Sequence, residues 1–242
     1  VDMDPVLEVA RKYNLRVVED CAHAPGALYK GKPVGTLGDV GTFSFHSLKN
    51  MTTGEGGMLT TTDPDLAEKV RILTLHGMSR DAWKRYTSAG SWYYEVVETG
   101  YKYNMTDIQA AMGIHQLRRL DSFIDRRQVI AQVYDQAFAD IPEISTPVRH
   151  PDRDHIHHLY PVQVDESGLT ITRTELIEQL RHWNIGTSVH FIPVHLHPVY
   201  QERFGYREGD FAVAEYIYNR VLSLPIYPRM TYEDLEYVVN VL

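Results

Sequence analysis

A helix that leads straight into a short apolar run ending on two acids is the pattern that most constrains this chain. Asp4 can cap that helix, Pro5 suits a first helical position, and Val6, Leu7, Val9 and Ala10 supply its apolar face. Asn14 is a natural stop. Leu15 to Val18 then reads as a buried strand closed by Glu19 and Asp20. A helix followed by a buried strand predicts part of a βαβ unit, with its first strand missing, and so an α/β fold.

The rest of the pattern agrees. Val40 to Phe45 reads as a second strand and Met58 to Thr62 as a third, with the Gly-rich turn 51–57 between them. Asp63-Pro64 opens another helix as Asp4-Pro5 does. Residues 77–104 lack periodicity and read as loop. Thr106-x-x-Gln109 is a capping box for a long amphipathic helix reaching toward Ala139. Beyond Pro142 the pattern is strand, helix, strand: Tyr160 to Val164, then a helix capped by Thr172 and running to about Trp183, then Thr187 to Ile192. Helices over about 210–221 and after Thr231 finish the chain.

The 242 residues suffice for one large domain or two modest ones. No apolar run approaches the ~18–20 residues of a membrane span, and no charged-then-apolar leader is visible. The first residue is Val1, so either a leader has been removed or the sequence is a piece of a longer chain. A net charge of −8 excludes the basic surface of a nucleic-acid binder. An anionic ligand then needs a local cationic pocket. The one cysteine, Cys21, excludes an internal disulfide and suits a reducing cytoplasm.

The chemistry is concentrated in residues 17–57, VVEDCAHAPGALYKGKPVGTLGDVGTFSFHSLKNMTTGEGG. Asp20 ends the first buried strand, and Lys49 follows the next one, before the Gly-rich turn. Ligands of open parallel sheets bind outside those strand ends. An acid and a lysine there suit pyridoxal phosphate (PLP). A lysine of lowered pKa attacks an aldehyde, and a carboxylate facing the pyridine nitrogen keeps it protonated and the ring a better electron sink. Ser44, on the strand that leads to the lysine, offers a hydroxyl to the phosphate. From spacing alone, the alternative stands that Asp20 caps a turn and Lys49 is a surface lysine.

Three ordered stretches, VVEDCAHAPGA, FSFHSLKNMTTGEGGM and GYKYNMTDIQAAMG, followed by PVHLHPVY and LSLPIYPRMT, resemble the DegT-type nucleotide-sugar aminotransferases. These are PLP enzymes of the aspartate aminotransferase superfamily. The resemblance runs from about Val1 to Leu242. It implies an α/β PLP-dependent transferase fold. Residues 1–125 would form the C-terminal part of a large, mainly parallel-sheet cofactor domain, and residues 126–242 a smaller α+β domain. Family members extend further at the N-terminus, in a segment carrying a Gly-Ser/Thr phosphate turn and an aromatic ring that stacks on PLP. The resemblance thus implies an N-terminally incomplete chain.

By the same resemblance, Lys49 carries the cofactor and moves the proton of transamination, Asp20 pairs with the pyridine nitrogen, and Ser44 contacts the phosphate. His23 lies beside the cofactor ring. Lys102 and Asn104 lie in a loop that reaches the partner's active site in a homodimer; many members read Asn-x-Arg where this chain reads Lys102-Tyr103-Asn104. The reaction implied moves an amino group from glutamate to a keto carbon of a nucleotide-linked deoxysugar. Relatives with His at the lysine position dehydrate deoxysugars instead, and Lys49 argues against that reading. An inactive or regulatory relative is the other rival.

Other clusters take plainer readings. His155, His157 and His158 resemble metal ligands on paper, the first and second sharing a strand face, but no carboxylate–Cys set completes a site and no metal is expected. His190, His195 and His197 either line a substrate mouth or pack against it. His46 reads as a packed neighbour of the lysine rather than a catalyst, and Cys21 as a small core residue. Tyr93, Tyr94 and Tyr101 stack on a base or bury an interface.

Overall fold

In the computed structural model, which describes residues 1–79 and 94–242, the opening helix α1 spans Met3–Tyr13 and is preceded by Asp2, not Asp4. Asn14 ends it in the left-handed conformation, its N–H turned back to Ala10 and Arg11 carbonyls. The first strand, β1, is Val18–Asp20, later than the apolar run suggests. Leu15 N–H still bonds the Ala10 carbonyl, and Val17 N–H bonds Asp39, so the run serves as a connection. The burial is also inverted. Val18 is 64% exposed, and the buried residue of β1 is Glu19. Its carboxylate accepts the backbone N–H groups of Gly35, Leu37 and Gly38, each at 2.8 Å. That loop lies so close to the sheet that a Cβ on Gly41 would stand 2.4 Å from the Gly35 Cα.

The chain falls into two units, Val1–Asp121 with Pro151–His155, and Ser122–His150 with Ile156–Leu242. In the first, two short strands follow, β2 (Leu28–Tyr29) and β3 (Lys32–Pro33), then β4 (Val40–Ser44) and β5 (Gly57–Thr60). β1 pairs parallel with β4, and β4 antiparallel with β5. Helix α2 (Pro64–Thr74) starts as expected, with the Asp63 carboxylate accepting the N–H groups of Asp65 and Leu66. Helix α3 (Asp107–Ala137) starts at the expected capping box: Thr106 N–H donates to Gln109 Oε1 and Gln109 N–H to Thr106 Oγ1. It contributes residues to both units. The short strand β6 (Ile144–Ser145) belongs to the second unit, and β7 (Arg153–Asp154) returns to the first, where it pairs with β2.

The second unit is built on the antiparallel sheet β6–β8–β9, with β8 Tyr160–Val164 and β9 Val221–Leu224. Around it run α4 (Arg173–His182), α5 (Pro198–Phe204), α6 (Ala212–Arg220) and α7 (Tyr232–Val241). Its core holds Tyr134, Phe138, Tyr160, Val162, Leu180, Leu222 and Leu235. The strand expected over 187–192 does not form. Ser188 makes one isolated bridge to Ser223, and the sheet position beside β8 belongs to the wholly buried β9. Arg127 is buried here, with Nη1 donating to the carbonyls of His157, His158 and Ile226 at 3.0, 3.1 and 3.0 Å; burial lowers its pKa to about 10. Among the described residues no helix is long and apolar enough to cross a membrane.

Candidate active site

The site is built on the parallel pair β1–β4. The register sets Asp20 opposite Thr42, so both side chains leave one face of the sheet, and alternation puts Ser44 on that face too. The strand ends therefore gather an acid and a hydroxyl on the side away from buried Glu19. Asp20 Oδ1 accepts the Ala22 N–H at 3.0 Å, while Oδ2 has no partner among the described residues. The turn-capping reading of Asp20 is thus realised at one oxygen, and the other stays available. His23 is exposed on the turn that follows, closed by Ala24 N–H on the Cys21 carbonyl. Cys21 itself is buried, and burial pushes its thiol pKa up to about 11, fitting a core residue.

Lys49 sits in the loop 45–56 between β4 and β5. Phe45 N–H bonds the Gly56 carbonyl, and Thr53 N–H bonds the Phe45 carbonyl, which closes the loop at its base. Within it Lys49 N–H bonds the His46 carbonyl at 3.0 Å, and His46 Nδ1 accepts the Leu48 N–H. His46 thereby shapes the bend before the lysine, but it is not the packed neighbour expected: its side chain is 42% exposed, with Nε2 3.7 Å from a Glu55 carboxylate oxygen. Lys49 is half-buried, and its ammonium makes no hydrogen bond or ion pair among the described residues. Gly56 permits the tight return: a Cβ there would lie 2.3 Å from Thr53 Oγ1.

Two residues that the sequence reading did not assign to the site clamp this loop from α3. Gln109 Nε2 donates to the Glu55 carbonyl at 2.9 Å, and Gln116 Oε1 accepts the Thr52 N–H at 3.4 Å. Between them Gly113 lets the helix approach, since a Cβ there would touch Thr53 Cγ2 at 3.1 Å. Positions 109, 113 and 116 form one stripe, and the signal for it was the capping box.

Lys102 donates to Asn104 Oδ1. Their loop is tied to the end of α2 by Tyr101 N–H on the Leu73 carbonyl, His76 N–H on the Tyr101 carbonyl and Tyr103 N–H on the Thr74 carbonyl. The rings of Tyr101 and Tyr103 stack at 4.9 Å and are exposed. In the second unit, His195 is buried, its Nε2 2.7 Å from Glu215, so it packs. His190 Nδ1 meets Ser223 Oγ at 2.8 Å, and burial lowers its pKa. His155 and His157 do not share a strand face: β7 ends at Asp154 and His157 has φ 47°. No group of three or more His, Cys, Asp or Glu among the described residues could hold a metal ion. Tyr93 and part of the 77–104 loop lie outside the described residues.

Comparison with known proteins adds an independent finding. The family described as the DegT/DnrJ/EryC1/StrS aminotransferase family matches residues 1–242. The spore coat polysaccharide biosynthesis protein SpsC of Bacillus subtilis is 55% identical over 240 residues, covering 99% of this chain and 62% of SpsC. Among solved structures, S. venezuelae DesV, in complex with a ketimine intermediate, is 35% identical with a TM-score of 0.87, covering 100% of this chain and 60% of DesV. The PMP form of the Streptococcus pneumoniae putative sugar aminotransferase Spr1654 is 32% identical with a TM-score of 0.84, covering 96% of this chain and 59% of that one. The chain thus spans about three-fifths of the length of these relatives.

Proposed function

Because the chain belongs to the DegT/DnrJ/EryC1/StrS aminotransferase family, we propose that it forms the lysine-bearing part of a PLP-dependent sugar aminotransferase, with Lys49 as the residue that carries the cofactor. The fold is the mixed α/β fold of the PLP-dependent sugar aminotransferases it superposes on. The reaction is transfer of an amino group from an amino acid, glutamate by preference, to a keto carbon of a nucleotide-linked deoxysugar. The observation that carries the reading is the pair of unpartnered charges, Asp20 Oδ2 at the end of β1 and the Lys49 ammonium beyond β4, on adjacent parallel strands.

The residues fit the cofactor. A free carboxylate oxygen suits a protonated ring nitrogen, an unpaired amine suits an aldehyde, and Ser44 stands on the Asp20 face to donate to a phosphate. When bound, PLP supplies the electron sink. Asp20 holds the proton on the ring nitrogen by charge pairing. Lys49 Nζ removes the proton from the donor's α-carbon and delivers it one step later, a transfer the closed loop 45–56 aims. His23, exposed on the turn after β1, flanks the ring in this reading.

The active form we propose is a cytoplasmic homodimer. Exposed Tyr101 and Tyr103, with exposed Ile108 and Met112 on α3, support a self-complementary face. Lys102 and Asn104 then reach the partner's substrate. The test uses the intact natural polypeptide with PLP and glutamate. The reading expects 2-oxoglutarate release in one equivalent per site without sugar, and repeated turnover with a keto-sugar nucleotide. Cofactor binding at Lys49 with no glutamate-dependent release overturns transamination.

A further inference from the structure

Asn50, the residue after Lys49, is 4% exposed, and neither Oδ1 nor Nδ2 has a hydrogen-bond partner among the described residues. Buried side-chain amides are nearly always bonded, so each exception calls for an explanation. A leucine has the same branched side-chain skeleton with no polar atom to satisfy. The residues buried with it in the loop, Phe45, Met51 and Thr53, do not share the problem: two are apolar, and Thr53 Oγ1 donates to the Glu55 carbonyl.

The position explains the cost. The loop is tied at its base, by Phe45 to Gly56 and Thr53, and at its first bend, by Lys49 and Leu48 to His46. Asn50 follows that bend directly and turns its amide inward while Lys49 turns partly outward. With 4% exposure the amide has almost no surface to offer a ligand, so a direct contact with substrate is excluded in favour of action through its neighbour. A buried amide with a donor and an acceptor both available is well suited to hold one water against nearby backbone.

We propose that Asn50 is a positioning residue for Lys49: its buried amide, bridged by one trapped water to the backbone of the 47–51 bend, fixes the direction in which the lysine leaves the chain. The inference rests on the reading of Lys49 above. A misaimed lysine binds the cofactor more weakly and in a different electrostatic setting, without any loss of the fold.

The experiment compares wild type, Asn50→Leu, Asn50→Ser and Lys49→Ala in the intact natural polypeptide. Three quantities are read: the melting temperature without cofactor, the Kd for PLP by absorbance titration, and the pH midpoint of the PLP absorbance change. Asn50→Leu is expected to melt no lower than wild type, yet bind PLP about tenfold more weakly with a displaced pH midpoint. Asn50→Ser, whose hydroxyl can hold the same water, is expected to recover part of both. The inference is overturned if Asn50→Leu keeps wild-type affinity and midpoint. It is equally overturned if the variant merely melts lower and its folded fraction binds normally. If wild type and Lys49→Ala titrate alike, the reading of Lys49 itself fails and this inference falls with it.

Discussion

Glu19 and Asp20 are adjacent acids with opposite fates, and the strand's alternation is the cause. Glu19 points inward and holds three backbone N–H groups of the 35–38 loop; Asp20 points to the open face. In the sequence both simply closed an apolar run. Asp20 was legible because a motif singles it out, whereas Glu19 was not, because its partners are backbone groups that carry no sequence signal. Glu19→Ala leaves those three N–H groups without their acceptor. A loss of about 3 kcal/mol in unfolding free energy is expected, at 1–3 kcal/mol per buried unmet group, read by denaturant titration; a loss under ~1 kcal/mol contradicts the anchoring role. Asp20→Asn is expected to leave PLP bound but slow proton transfer at least tenfold, about 1.4 kcal/mol of barrier. Single-turnover rates within threefold of wild type contradict the pairing of Asp20 with the ring.

The elements that the sequence predicted best are those with local signals. The Asp63, Thr106, Thr172 and Thr231 caps each start the helix expected of them, since capping bonds run between residues two or three apart. The strands fared worse, because pairing is decided by partners far along the chain. β9 displaced the strand expected over 187–192, and β1 began three residues late. Gln109→Ala removes both a capping bond and the clamp on the Glu55 carbonyl. It is expected to cost about 1 kcal/mol and to speed amide exchange across 52–56 in hydrogen-exchange mass spectrometry; unchanged exchange there rules out the clamp. In the second unit, the Glu215 carboxylate ties His195 to the N–H groups of Gly209 and Phe211. The hydrogen bond to His195, foremost, holds its pKa below the usual glutamate range. Such a group stabilises the fold above its unfolded pKa of about 4.3 and loses that contribution as pH falls through the lower folded value. Melting temperature should therefore drop more steeply below pH ~4.3 in wild type than in Glu215→Gln, and parallel curves contradict this.

For the whole molecule, the ordered motifs identified the family before any coordinate did, and the match over residues 1–242 bears that out. What the motifs left unstated is how the first unit leaves Val6, Val9, Tyr13 and Val18 exposed around α1 and β1. Sharing of sites across a dimer is tested by mixing two inactive variants of the intact natural polypeptide, Lys49→Ala and Lys102→Glu. Random pairing gives hybrids with one complete site, and activity returns toward about a quarter of wild type. No recovery, with subunit exchange verified, places Lys102 in its own chain's site or in none. The central claim, that Lys49 carries the cofactor, is tested most directly by borohydride reduction of the PLP-treated protein followed by peptide mass mapping. The account predicts a pyridoxyl-phosphate adduct on the peptide containing Lys49, at one per chain and absent from Lys49→Ala. An adduct centred on another lysine, or none at saturating PLP, contradicts it.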